Sequence, residues 1–269
     1  MPFVAFVNAS SRLSNTEADV IVEALRLQAR DEFSKLWPGI ELWQPIFVAS
    51  EDRLPQNAYP IVFVDEADQP NFDAYHGIDR GGKYFGHVFV NLLLEQGGVF
   101  EAVSRGAGHE YFELLGNPTC NLCVDGPPIA IVDEATGART ESTRYYFELC
   151  DPVQAVTYAK TVDRGRKYVV QVPDIAGPGY FGQAGPLSIT GAPKGPFKVA
   201  DGGYQVLRDT RGNDHNVFGM GGAASPSPEV IANIQRNHRR TRRRTIDKLK
   251  LWPANVEELA GLNIKSSLY

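Results

Sequence analysis

The sequence has little cysteine, methionine, tryptophan or histidine: 3, 2, 3 and 5 residues in a chain of 269. Three cysteines are too few for a disulfide-built scaffold, and their number is odd. No run approaches ~18 consecutive apolar residues, so neither a transmembrane helix nor a membrane partner is expected. The opening MPFVAFVNAS has neither a basic n-region nor a long apolar h-region, so no secretory signal peptide is expected. The glycine-rich Gly219-Met220-Gly221-Gly222 is not followed by G-K-[ST]; this excludes a phosphate loop, and the stretch reads as a hinge. No internal repeat is apparent. What is present in ordinary amounts, 43% apolar and 22% charged residues, excludes gross disorder, collagen and coiled coil. At roughly 100–200 residues per domain, the length allows one large domain or two small ones.

The net charge of −5 is unevenly spread. Residues 236–250 hold eight Lys/Arg (Arg236, Arg239, Arg240, Arg242, Arg243, Arg244, Lys248 and Lys250) against the single acid Asp247. That stretch is +7 and the remainder is −12, an acidic body with a basic appendage. Cys120 and Cys123 form a C-x-x-C, but no second pair exists to complete about four zinc ligands. A site joined by Cys150, a disulfide among the three, and ordinary thiols all remain open.

Patterning predicts strands near 2–8, 41–49, 60–66 and 84–92, the last entered through a turn at Arg80-Gly81-Gly82. Ser14-Asn15-Thr16-Glu17 fits a capping box for a helix over 15–36, with Val20, Ala24 and Leu27 on its buried stripe. A second helix is predicted over 99–115, ended by Gly116 and Pro118. Residues 117–143 read as a long loop with a short strand at 129–132, and 145–149 as a short strand. Residues 156–208 read as a β-rich extension and 212–227 as flexible. Ser227 and Pro228 suit the start of a helix running into the basic stretch.

The chemistry concentrates in Gly108-His109-Glu110-Tyr111-Phe112-Glu113. On a helix, His109 and Glu113 stand four residues apart on one face and can meet at one metal ion. Glu110 lies one position round, within reach of a water there. This is the spacing of H-E-x-x-H with the second histidine replaced by glutamate. The bland alternative is an i,i+4 surface pair. The small residues Gly106-Ala107-Gly108 would let another element approach the helix closely. A third ligand is needed, and Glu148 and Asp151, in Glu148-Leu149-Cys150-Asp151-Pro152, are the candidates.

The phrase H-E-x-x-E-x-x-x-[ND]-P, followed by E-x-C-D-P, resembles a zincin-like metallopeptidase family that includes many uncharacterised phage and prophage proteins. The likeness runs over roughly residues 80–208. It continues through Val169-Val170-Gln171-Val172, Pro178-Gly179-Tyr180-Phe181 and Gly202-Gly203-Tyr204. Asn117 stands where an aspartate is common, and Gly108 where a serine is usual.

The resemblance implies an α+β fold with a zincin-like mixed sheet and an active-site helix, and the motifs along the chain divide it into such a core over 1–155 and a β-rich extension over 156–222. A basic helical tail over 223–269 lies outside the resemblance. The strand at 84–92 would be the edge that pairs an extended peptide.

It further implies a Zn²⁺ held by His109, Glu113 and either Asp151 or Glu148, with Glu110 as the general base and a peptide or protein as substrate. Oxygen-rich ligation also suits Mn²⁺ or Ca²⁺. Tyr145, Tyr146 and His87 are the candidates for stabilising an oxyanion. His76 is placed in a loop from which it could line the cleft.

Other functional readings stand beside the peptidase. One is a catalytically silent, structural virion protein of the same fold. In either case the protein is placed in a virion or in the host cytoplasm. The basic tail would dock an acidic surface, such as a neighbouring virion subunit, or bind nucleic acid. It has no interleaved aromatics, Trp252 being the nearest.

Overall fold

Strand β1 (Phe3–Asn8) is buried along both faces, the pattern of a central parallel strand. It pairs in parallel with β2 (Gln44–Val48) on one side and β3 (Ala58–Val64) on the other. Two further strands, β4 (Ala74–Ile78) and β5 (Tyr84–Phe89), complete a five-stranded mixed sheet of order β2-β1-β3-β5-β4. β5 runs parallel to β3, while β4 is antiparallel and occupies the edge. The computed structural model describes residues 2–68, 72–132 and 139–219.

Helix α1 (Asn15–Gln28) begins at the expected capping box. Ser14 accepts from the Glu17 amide, and Glu17 reaches back to the Ser14 amide at 2.9 Å. It continues through a wide turn at Ala29–Phe33 and a last turn at Ser34–Leu36, so the predicted span of 15–36 is helical throughout. β5 leads directly into α2 (Val90–Gln96). A second wide turn, Val99–Val103, then feeds α3 (Ser104–Gly116), the helix predicted over 99–115.

α1 and α3 cover one face of the sheet. There Phe6 meets Tyr111 with ring centroids 5.9 Å apart, and Phe33 meets Phe112 at 5.1 Å. A smaller cluster of Ala5, Val7, Val48, Ala58 and Val62 covers the other face.

A second sheet, of order β11-β10-β7-β6, is built from β6 (Cys123–Val132), β7 (Arg139–Tyr146), β10 (Tyr204–Arg208) and β11 (Asp214–Phe218). Between them in sequence, β8 (Thr157–Asp163) and β9 (Lys167–Pro173) form a hairpin. It adds Val162, Val170 and Val172 to the core under the first sheet. The chain is thus α+β, with a mixed sheet and few helices.

Several sequence expectations are corrected. The strand predicted over 84–92 ends at Phe89 and is interior; the edge is β4, in a stretch read as loop. Ala74-Tyr75-His76-Gly77-Ile78 shows no alternation because every residue of it is buried. Its turn is held by Asp79, whose Oδ1 accepts from the amides of Gly81 at 2.7 Å and Lys83 at 2.9 Å.

Residues 117–143 are not one long loop, since β6 and the start of β7 lie in it. Gly126-Pro127-Pro128 disguises the strand, and the ladder there shifts register between Asp125 and Ile129. β7 ends at Tyr146, so the strand expected over 145–149 stops early. Residues 214–218, read as flexible, form β11. None of the three cysteines is in a disulfide. The helix expected from 228, the basic run 236–250 and the tail 223–269 lie outside the described residues, as do residues 220–222 of the expected hinge. Among the described residues, no helix is long and apolar enough to cross a membrane.

Asp65, just after β3, clamps the loop that leads into α1. It accepts from the Ser10 hydroxyl, from the Ser11 hydroxyl at 2.6 Å and from the Ser11 amide at 3.1 Å. The Ser10 and Ser11 hydroxyls hold its carboxyl down to about 2. A depressed acid stabilises the fold above its unfolded value near 3.8, and that contribution is lost as pH falls towards 2. Thermal melts of Asp65→Asn across this window are therefore expected to lose part of the wild-type acid dependence. Identical slopes for the two proteins would show that the clamp contributes nothing.

Candidate metal centre

α3 is buried almost all round, because other elements touch its backbone where side chains are missing. A Cβ on Gly108 would lie 2.6 Å from Pro173 Cδ and 2.8 Å from Leu25 Cδ2, so β9 and α1 both close on this point. The glycine at this position is therefore a packing requirement. The close approach seals the helix turn that bears His109, Glu110 and Glu113, each under 10% exposed.

His109 Nε2 lies 3.1 Å from Glu113 Oε1 and 3.2 Å from Asp151 Oδ1. Asp151 opens a short 3₁₀ turn, Asp151–Val153, rigidified by Pro152. The amides of Cys150 and Asp151 donate to Glu113 Oε1 at 3.3 and 3.2 Å, which ties this turn to the helix. Behind it, a Cβ on Gly203 would stand 2.4 Å from the Pro152 carbonyl oxygen. Only glycine lets β10 come so near, and the next residue, Tyr204, places its hydroxyl on Asp151.

The edge strand brings a second histidine. His76 Nδ1 lies 3.1 Å from Glu110 Oε2 and 3.9 Å from Glu113 Oε2, while its Nε2 faces the Asn117 carbonyl at 3.3 Å. Glu148 is placed differently from Asp151. Its Oε1 accepts from Asn117 Nδ2 at 2.9 Å. Asn117 Oδ1 in turn accepts from the amides of Asn121 and Leu122, both at 3.0 Å.

Two groups of buried donors thus have the spacing to hold a metal ion: His109, Glu113 and Asp151, and His76, Glu110 and Glu113. Glu148 and the cysteines belong to neither. Of the oxyanion candidates, Tyr145 donates to the Pro127 carbonyl, Tyr146, which lines the cavity, donates to Asp214, and His87 pairs with Asp68.

These groups line a cavity of about 80 Å³, together with Cys120, Tyr146 and Tyr204. Among the described lining residues are four carboxylates and two imidazoles but no lysine or arginine. The protonation equilibria show the strain of that imbalance. Burial opposes charge on both histidines, yet Cys120 and Glu110 raise His76, and Glu113 and Asp151 raise His109. Burial and the nearby Glu113 push Asp151 up to about 6 and raise Glu148 well above the carboxylate range.

Asp151 Oδ1 and Glu148 Oε2 are buried without a hydrogen-bond partner. Orphaned carboxylate oxygens in an acid-rich cavity whose described lining includes no lysine or arginine fit a divalent ion.

Reading the sequence alone located His109, Glu110, Glu113 and Asp151 but underrated His76, Asn117 and Tyr204. For Tyr204 and Asn117 the signal lay in Gly202-Gly203-Tyr204 and the residue before Pro118. For His76 it lay only in recognising β4. Asn117 supplies what an aspartate could not, an N–H for Glu148. Asn117→Asp is expected to cost about 1–3 kcal/mol by removing that donor. A thermal melt showing no loss would exclude this role.

No protein-family model, curated protein or solved structure matches the chain.

Proposed function

We propose that this cavity is the centre of a divalent-cation-dependent hydrolase of zincin-like metallopeptidase type, acting on a peptide or protein. The observation that carries the reading is the convergence of His109, Glu113 and Asp151 in a buried, acid-rich cavity, with Glu110 beside them on the same helix.

These three residues would hold the ion, which when bound supplies Lewis acidity and activates water. Zn²⁺ suits the imidazole and the small coordination number, and the two carboxylates also suit Mn²⁺ or Ca²⁺. Glu113 is fixed for this by the amides of the Asp151 turn, and Asp151 by the Tyr204 hydroxyl. Glu110 offers a carboxylate oxygen to take a proton from water and return it to a leaving amine. The cavity admits an ion and a few waters, so a peptide would lie at its mouth. There β4 is the sheet edge, with no strand on its outer side among the described residues. Its backbone can pair an extended chain.

The test is elemental analysis of the purified full-length protein, followed by reconstitution with Zn²⁺, Mn²⁺ and Ca²⁺. At least one equivalent of a divalent ion is expected in the wild type and a large loss in His109→Ala. The absence of stoichiometric metal under all three conditions would overturn the reading.

A further inference from the structure

The geometry points to a second divalent-cation position in the same cavity, held by His76 Nδ1, Glu110 Oε2 and Glu113 Oε2, with Glu113 bridging two ions. The inference rests on reading the His109 group as the first position.

Its first support is how the two oxygens of Glu113 are divided. Oε1 faces His109, and Oε2 lies 3.9 Å from His76 Nδ1. One carboxylate therefore belongs to both donor groups, the arrangement in which a single side chain spans two ions about 3.5–4 Å apart.

The second support is the state of His76. Its Nε2 faces the Asn117 carbonyl at 3.3 Å, and a carbonyl can only accept, so the ring proton belongs on Nε2. Nδ1 lies 3.1 Å from Glu110 Oε2 and 3.9 Å from Glu113 Oε2, and would present a lone pair to an ion that displaces the proton it shares with Glu110. Three potential ligand atoms converge on one point in a cavity whose described lining includes no lysine or arginine. A backbone carbonyl on the far nitrogen of an imidazole is also the usual means of fixing the tautomer and aim of a metal-bound histidine. His76 is 6% exposed, so bulk water does not reach this point freely.

The second position draws on the group that the hydrolytic reading uses as its base. Filling it makes Glu110 a ligand and withdraws that oxygen from proton transfer. The first equivalent of metal thus builds the site, and the second restrains it.

The test uses the full-length protein, freed of metal with a chelator and titrated with Mn²⁺ under equilibrium dialysis and electron paramagnetic resonance. Two equivalents are expected, the filled protein giving the spectrum of a spin-coupled pair. His76→Ala and the milder His76→Gln are expected to bind one equivalent, with an isolated-ion spectrum. One equivalent and an uncoupled spectrum in the wild type would overturn the second position while leaving the His109 site standing. No bound metal would overturn both. Two equivalents retained in the His76 variants would overturn the assignment to His76. If neither variant folds, the wild-type spectrum alone decides, because a coupled pair and an isolated ion differ in hyperfine structure.

Discussion

Glu113→Ala is expected to empty the cavity of metal, with affinity falling by more than the roughly 10–100-fold typical of losing an outer-shell partner. Among the described residues no other side chain serves both donor groups, so its loss leaves His109 with Asp151 on one side and His76 with Glu110 on the other. The amides of Cys150 and Asp151 also lose their acceptor, which loosens the turn that carries Asp151. Glu113→Gln separates the two effects. It keeps an oxygen for those amides but removes the charge, so metal should be lost while the melting temperature changes less than in the alanine variant. Dialysis against Zn²⁺ with a parallel thermal melt checks both. Wild-type metal content in Glu113→Ala would refute the assignment of Glu113 as a ligand.

Glu110→Gln should instead separate chemistry from binding. The amide keeps the shape of Glu110 and its place beside His76 but cannot accept a proton at working pH. Hydrolysis of a peptide substrate is expected to fall by about 10²–10⁴-fold, the usual contribution of a general base. Metal at the His109 position should be retained, because Glu110 is not in that group. The measurement is turnover of a quenched fluorescent peptide library alongside metal content. Undiminished turnover in the variant would remove Glu110 from the mechanism.

Parts of the molecule are legible in the sequence because their signals are local. The capping box at Ser14 and Glu17, the burial of Val20 and Ala24 on α1 (Leu27 is half-buried), and the His109–Glu113 spacing are each decided within one or two helical turns. What failed to show is non-local. β4 has no alternation because both its faces are covered, one by the site and one by the aromatic side chains around Tyr75 and His87. β6 is broken by Gly126-Pro127-Pro128 and is held as a strand by its pairing with β7. The choice between Glu148 and Asp151 also depended on the tertiary fold. The two differ by three positions, and the fold sets Glu148 against Asn117 while it brings Asp151 to His109 and Tyr204. Gly108 and Gly203 look alike as glycines. The contacts of Pro173 and of the Pro152 carbonyl give each its reason.

The way the cavity is assembled bears on when it can exist. Its walls come from β4, from α3, from the turn at Asp151 and from Tyr204 at the start of β10, so the contacts that close it span most of the described chain. Contacts of such wide separation form late, after local helices and hairpins. During synthesis the chain would carry His109, Glu110 and Glu113 on a formed helix long before Tyr204 leaves the ribosome to seal Asp151. The nascent protein therefore passes through a stage with the helix motif complete and the cavity open. Metal loading and the last step of folding would then coincide, with the ion held only once the final wall is in place.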